Sequence, residues 1–171
     1  MRKKFRESEK KRGYYMHIHR LEKIWIVFGI SMLIVFLSVI GVSAFAMGMN
    51  PPTGHAHTID PAKVDLTPPF DQPGLKKVGE NEYEAVMTAF AFGYKPDKME
   101  VPAGATVHFI ITSKDVVHGF EIPGTNVNMM VLPGEVNHLT YKFDKPGSYL
   151  VLCNEYCGGA HEWMKTTIVV N

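Results

Sequence analysis

Four residues near the C-terminus of this 171-residue chain have the types and spacing of a metal site. The only two cysteines, Cys153 and Cys157, lie in a C-x-x-x-C pair, and His161 and Met164 follow at spacings of four and three. Thiolate, imidazole and thioether are soft ligands, which select copper over magnesium, calcium or manganese. The sequence therefore predicts a copper site.

The second cysteine bears on the number of copper ions. A blue-copper site uses one thiolate, so one of Cys153 and Cys157 is surplus to a mononuclear centre. Two thiolates can bridge two coppers, and two Cu(I) ions with two thiolates carry no net charge. Because loss of one electron changes that charge so little, the surroundings reorganise little. These residues predict a dinuclear copper centre that transfers electrons.

Three other uses of the cysteine pair stay open at this point. A local disulfide suits a domain outside the cytosol, and C-x-x-x-C also serves as half of a zinc site. Zinc motifs normally take a second pair from elsewhere, and methionine is a poor zinc ligand. Two unrelated core cysteines are the third possibility. The complete ligand set favours copper over all three.

The cysteine-containing segment closely resembles the copper-A loop of cytochrome c oxidase subunit II, whose pattern is C-x-E/Q-x-C-G-x-x-H-x-x-M. The resemblance implies that Cys153 and Cys157 bridge two coppers and that His161 is the loop histidine. It also implies that Glu155 ligates through its backbone carbonyl and that Met164 is a weak ligand.

The resemblance further requires a histidine from an earlier strand. His118 lies in the run from Asp115 to Phe120, which resembles the family's D-V-x-H-x-F segment, and we expect it to be the ligand. His108 alternates with apolar residues and is expected on the surface of a strand. Nothing around His138 resembles the ligand segment.

The N-terminal third predicts a membrane anchor. Residues 24–47 contain no charged side chain, and as a helix they would span roughly 36 Å, enough for a hydrocarbon core of about 30 Å. Residues 1–23 carry nine Lys/Arg against three Asp/Glu, whereas residues 48–171 carry nine against fourteen. The positive-inside rule predicts a cytoplasmic leader at 1–23 and the copper domain on the outer side of the cell membrane. A cleaved signal peptide is the alternative, but its apolar core would be shorter.

The rest of the chain predicts a linker and a β domain. Residues 48–79 contain six prolines, which predicts an extended linker. Residues 80–171 alternate short Val-, Ile-, Phe-, Tyr- and Thr-rich runs with Pro/Gly turns, a pattern typical of a two-sheet antiparallel sandwich. Composition and order resemble a cupredoxin. The fold class predicted is mostly β: a cupredoxin-like antiparallel β-sandwich with one N-terminal transmembrane helix.

The single predicted span brings the chain closest to the ba-type, B-family heme–copper oxidases, whose subunit II has one transmembrane helix. The run from Ala89 to Tyr94 also resembles the B-family segment near the face where electrons arrive. Phe90 and Phe92 are therefore candidates for the electron-input surface. Their alternative role is packing in the sandwich core, since residues of equal parity share a face.

The resemblance implies the electron-accepting subunit of a cytochrome c oxidase. A cytochrome c or cupredoxin donor would deliver electrons to a copper-A centre, which would pass them to heme in the large subunit I, where the oxygen chemistry resides. We see no basic patch for nucleic acid and expect no nucleic-acid partner. A membrane-anchored copper chaperone or mononuclear cupredoxin is the alternative.

Overall fold

The computed structural model describes residues 18–47 and 53–171, with side chains described in the second range from Thr58 onward. Positions 1–17 of the predicted leader lie outside the described residues. The chain divides into two compact units, residues 1–50 and residues 51–171. Each unit is described by itself below.

In the described residues of the first unit, 18–47, there is one helix, α1 (Arg20–Phe45), which is long and apolar enough to cross a membrane. Its N-terminus is closed by a capping box: Leu21 N–H donates to His19 Nδ1 at 3.4 Å, and His19 N–H donates to Glu22 Oε2 at 3.3 Å. Two serine hydroxyls in the apolar part, Ser31 and Ser38, each donate to the carbonyl four residues earlier at 2.8 Å. These bonds pair both hydroxyls on an apolar helix, where an unpaired polar group would be costly.

The ends of α1 differ from the predicted span of 24–47. The helix begins at Arg20 because its first turn includes charged residues, which are good helix formers. It ends at Phe45, two residues before the predicted end. Composition marks the apolar stretch, whereas the cap at His19 marks where the helix begins.

The second unit is a sandwich of two β-sheets in the described residues. The first sheet has the order β1-β9-β6-β3-β2 with β4 paired to β3, and the second has the order β5-β11-β10-β7-β8. The strands are β1 (Thr53–Thr58), β2 (Gly74–Lys77), β3 (Glu82–Phe90), β4 (Gly93–Lys95), β5 (Lys98–Val101), β6 (Ala105–Ser113), β7 (His118–Glu121), β8 (Asn128–Val131), β9 (Glu135–Phe143), β10 (Gly147–Leu152) and β11 (Lys165–Val170).

The predicted mostly-β, cupredoxin-like sandwich with an N-terminal apolar helix is confirmed. Its sheets are not purely antiparallel, however. β3 pairs parallel with β6 and β5 pairs parallel with β11, while the other strand pairs are antiparallel. Parallel neighbours need a crossover connection, and the spacing of the apolar runs carried no information about it.

Alternating side chains build the core between the sheets. Val107, Phe109 and Ile111 of β6 are buried, whereas His108 points to the opposite face, where its Nδ1 lies 2.9 Å from Thr140 Oγ1. The expectation that His108 lies on a strand surface is confirmed. Phe109 meets Phe120 of the second sheet with ring centroids 5.3 Å apart, so aromatic rings join the two layers.

The structure differs from the predicted linker at 48–79. Its described part forms β1, a short 3₁₀ helix (Pro61–Leu66) and β2, and the two strands pair with β9 and β3. Pro61 occupies the first turn of that helix, where its missing N–H costs nothing. A second, smaller cluster joins this segment to the sheet through Ile59, Val64, Phe70, Val86 and Val136. We refer to residues 59–73 as the strap.

Candidate metal centre

One side of the candidate centre comes from β7, which begins at His118. The His118 side chain is fully buried. Its Nε2 lies 2.7 Å from Asp115 Oδ1, while its Nδ1 is buried without a hydrogen-bond partner. Because an ionised carboxylate only accepts hydrogen bonds, Nε2 carries the proton and Nδ1 keeps its lone pair. The imidazole is therefore ready to ligate through Nδ1.

The Asp115 carboxylate is anchored on both oxygens. Oδ2 accepts from the Ala91 amide at 2.7 Å, and Oδ1 accepts from the Val116 amide at 2.7 Å as well as from His118. Burial opposes ionisation of Asp115, but the hydrogen bonds from His118, Ala91 and Val116 outweigh it and hold the pKa below its ordinary value. Asp115 thus stays a carboxylate that orients His118.

The other side of the centre is the loop between β10 and β11. Cys153 N–H donates to Met164 O at 3.2 Å, which closes the base of the loop. Within it, a 3₁₀ turn (His161–Trp163) is held by Met164 N–H donating to His161 O at 3.1 Å. The loop therefore returns on itself and brings its two ends together.

The sulfur, nitrogen and oxygen atoms of this loop converge. Cys153 Sγ lies 3.9 Å from Cys157 Sγ and 3.1 Å from the Glu155 carbonyl oxygen. Cys157 Sγ lies 3.5 Å from His161 Nδ1 and 3.6 Å from Met164 Sδ. Every loop residue that was predicted to be a metal ligand therefore contributes a donor atom to one cluster.

The cluster also includes the strand side. Donor atoms of His118, Cys153 and Cys157 lie within 4.8 Å of one another, and all three residues are buried. His108 and His138 are not members of a metal-ligand cluster in the described part of the chain. Both cysteines are free thiols. Of the three upstream histidines considered, the structure brings His118 to the cysteines.

These donors fit copper on the atoms themselves. Two free thiols, an unpaired buried imidazole nitrogen and a thioether form a soft donor set. Such a set suits copper better than hard cations that prefer oxygen. Burial, and then Cys153, raise the pKa of the Cys157 thiol to about 11, so metal binding must displace its proton at neutral pH.

Exposed aromatic side chains surround the centre. Phe90 and Phe92 are 37% and 39% exposed, and Tyr156 and Trp163 are 80% and 69% exposed. The alternative reading, that both phenylalanines pack in the core, is wrong. β3 ends at Phe90, so strand parity does not extend to Phe92. A Cβ added to Gly158 would lie 3.0 Å from the Phe92 ring, so that ring covers the loop between β10 and β11.

Sequence reasoning missed two residues beside the centre. Gly119 N–H donates to Cys153 Sγ at 3.3 Å, and Tyr94, which is buried, donates its hydroxyl hydrogen to the Gly119 carbonyl. A Cβ on Gly119 would lie 1.9 Å from Asn154 Oδ1, so only glycine fits there. The glycine directly after His118 was a visible signal, but Tyr94 is distant in sequence and gave none.

The two-sheet sandwich with metal donors at one end defines a cupredoxin-like protein. Residues 86–171 match the family model for cytochrome c oxidase subunit II, periplasmic domain. The chain is 44% identical over 153 residues to a cytochrome c oxidase subunit 2 of Thermus thermophilus, covering 87% of this chain and 90% of that protein. A second T. thermophilus subunit 2 is 47% identical over 121 residues, covering 70% of this chain and 90% of the relative.

A solved structure supports the same assignment. A chain in the cryo-EM structure of a heme–copper terminal oxidase dimer superposes with a TM-score of 0.75 at 34% identity, over 89% of this chain and 100% of that chain. The chain belongs to the cytochrome c oxidase subunit II family, the electron-accepting subunits of heme–copper terminal oxidases. The near-complete match to the Thermus protein fits the expected placement in the B-family.

The alternative functions gain no support. Nothing in the fold favours a membrane-anchored copper chaperone, because the described residues beyond α1 form strands and short 3₁₀ turns of a cupredoxin-like sandwich. A mononuclear cupredoxin would leave one cysteine unused, yet Cys153 and Cys157 both lie in the donor cluster.

Proposed function

We propose that this chain holds a dinuclear copper-A centre on six residues. Cys153 and Cys157 would bridge the two metals, His118 and His161 would bind through Nδ1, and weaker donors would complete the site. The weaker donors are Met164 Sδ and the Glu155 carbonyl. The observation that carries the proposal is the convergence of both thiols with the unpaired Nδ1 of His118 within 4.8 Å.

When bound, such a copper pair supplies reversible one-electron transfer. The chain's contribution is to hold the donors still and to keep water away from them. Cys153, Cys157, His118 and Met164 are each less than 10% exposed. A strand, a closed loop base and the Asp115 carboxylate fix their positions. A site held in this way needs little movement between redox states.

We further propose the direction of electron flow and the partners. A cytochrome c or a cupredoxin would dock near Phe90 and Phe92 and deliver electrons one at a time. A large heme-containing subunit I would receive them, as the match to a chain of a heme–copper terminal oxidase supports. His161, in its 3₁₀ turn, is 3.5 Å from Cys157 Sγ and is half-buried, and it would face that subunit.

We also propose the orientation in the membrane. α1 would cross the cell membrane once, with the basic leader in the cytoplasm and the copper domain outside. The proposal rests on nine Lys/Arg against three Asp/Glu in residues 1–23. The match of the β domain to a periplasmic family model supports it.

Metal analysis of the full-length, detergent-solubilised chain tests the proposed centre. After reduction and copper loading we expect two coppers per chain and an EPR spectrum in which one unpaired electron is shared between two copper nuclei. A fully loaded chain with one copper, or with hyperfine splitting from a single nucleus, would contradict the proposal. Mass spectrometry under native conditions separates incomplete loading from a true single-copper site.

A further inference from the structure

A buried tyrosine outside the loop supports the cluster. Tyr94 lies on β4, a strand of three residues that pairs with the end of β3. Its hydroxyl donates to the Gly119 carbonyl, and its ring meets Phe120 edge-on with centroids 5.8 Å apart. Tyr94 is 3% exposed. It therefore holds two consecutive residues of β7, by one polar and one apolar contact.

Gly119 links Tyr94 to the sulfur of Cys153, which is a proposed bridging ligand. Its N–H donates to Cys153 Sγ at 3.3 Å, and its missing side chain makes room for Asn154, whose Nδ2 donates to Asn128 Oδ1 at 3.0 Å. The β7 backbone is thus trapped between the Tyr94 hydroxyl and the chain after Cys153. A small shift of Gly119 changes the N–H···S contact directly.

We propose that Tyr94 is a positioning residue that acts through Gly119 to fix the hydrogen bond on the Cys153 sulfur and so raises the reduction potential of the copper centre. The inference rests on the proposed dinuclear site. Hydrogen bonds to a cysteine sulfur tune the potential of copper centres. An N–H donor withdraws negative charge from the sulfur and favours the reduced state, in which that charge is larger.

Tyr94→Phe isolates the hydroxyl. The phenylalanine keeps the ring contact with Phe120 but leaves the buried Gly119 carbonyl without its donor. The matched control is Tyr149→Phe, which also removes a tyrosine hydroxyl that donates to a backbone carbonyl, that of Lys145 at 2.9 Å. That bond lies in an exposed turn, so the control should leave the centre unchanged.

Two measurements on full-length, detergent-solubilised protein test the inference. In copper-loaded protein we expect Tyr94→Phe to retain two coppers and to show a lower reduction potential by spectroelectrochemistry, while Tyr149→Phe matches the unchanged chain. In metal-free protein labelled with ¹⁵N-glycine, which gives at most 15 signals, the Gly119 amide proton should shift upfield and exchange faster in Tyr94→Phe only.

The outcomes separate the two proposals. If the unchanged chain fails to bind two coppers, the proposed function fails. If it binds two coppers but Tyr94→Phe leaves either the potential or the Gly119 amide signal unchanged, Tyr94 does not act through Gly119 and the inference fails. If Tyr94→Phe does not fold, the test is amide hydrogen exchange of Gly119 in the unchanged chain. Fast exchange of that amide would mean that its hydrogen bond to Cys153 is not held, and this would overturn the inference.

Discussion

The candidate centre has two halves that are supported in different ways. The strand half consists of His118 and Gly119 on β7, and the loop half extends from Cys153 to Met164. Contacts within the loop half are local: the distances from Cys157 to His161 and Met164 join residues four and seven positions apart. The strand half depends on Tyr94, 25 positions from Gly119. Ala91, through Asp115, makes a similar distant contact, 24 positions away.

This difference separates ligand supply from ligand orientation. The loop half provides most of the donor atoms and carries a compact sequence motif. The strand half provides one imidazole. Hydrogen bonds to Asp115 and from Tyr94 fix the tautomer of His118 and the position of Gly119, which donates to Cys153 Sγ. Loss of a loop thiolate should therefore change how many metals bind, whereas loss of a strand support should change how well they bind.

The largest effect is expected from Cys153→Ser in the loop half. A serine hydroxyl does not replace a bridging thiolate, so we expect one copper per chain and EPR splitting from one nucleus. The loop comparator is Met164→Leu, a substitution of similar volume. It should keep both coppers and shift only the potential, because an axial thioether is a weak, tuning ligand. Two tightly bound coppers in Cys153→Ser would show that the cysteines do not both bridge.

A smaller effect is expected from Asp115→Ala in the strand half. Loss of a carboxylate that orients a metal-bound histidine typically costs 10–100-fold in metal affinity. We expect a loss of about 10–100-fold in Cu(I) affinity, with two coppers still bound at saturation. Competition with a chromophoric Cu(I) chelator measures it. Asp115→Asn should lose less, because the amide oxygen can still accept from His118 Nε2.

The control for Asp115 is Asp144→Ala, which removes an exposed carboxylate paired with Lys142 at 2.8 Å. Exposed ion pairs contribute little to stability, so copper affinity and stoichiometry should be unchanged. Equal affinities for Asp115→Ala and the unchanged chain would show that His118 needs no carboxylate to hold its orientation. The distinction between the two halves would then be lost.

The same contrast explains what the sequence could predict. The loop ligands were found because Cys153, Cys157, His161 and Met164 lie within twelve positions, and local spacing carries their chemistry. Tyr94 was not found, because its contact with Gly119 depends on how β4 meets β7, and no local pattern encodes that meeting. His118 is intermediate between these cases. Its sequence segment was recognisable, but only the three-dimensional structure shows that its Nδ1 is buried without a hydrogen-bond partner.

The fold follows a similar rule. Long strands such as β6 and β9 form from the Val-, Ile-, Phe-, Tyr- and Thr-rich runs that predicted a β domain. The proline-rich segment at 48–79 was predicted as linker, because prolines disfavour regular structure, yet Val64 and Phe70 of the strap are about 1% exposed. Apolar burial against β3 and β9 outweighed local propensity there. Crossovers between parallel strands also depend on tertiary packing.

The smallest effect of a substitution is expected at the proposed docking surface for the donor, which lies next to both halves of the centre. The Phe92 ring covers Gly158 of the loop half, while the Ala91 amide beside it binds Asp115 of the strand half. Transient redox interfaces are generally under about 1,200 Å², so a few exposed aromatic side chains can decide docking. We expect Phe92→Ala to slow electron delivery a few-fold at unchanged copper content, measured by stopped-flow with a soluble donor.

Salt distinguishes this mode of docking from a charge-driven one. Residues 48–171 carry nine Lys/Arg against fourteen Asp/Glu, and this negative charge can steer a basic donor towards the domain. The steering is screened once salt shortens the Debye length to about 8 Å or less. If apolar contacts at Phe92 dominate docking, the rate of electron delivery should fall only a few-fold over that range of salt. Phe92→Ala should then lower the rate more than any single Asp or Glu substitution does. Leu150→Ala, at an exposed leucine of β10, is the control. A steep collapse with salt together with an inert Phe92→Ala would mean that charge, not the aromatic surface, selects the donor.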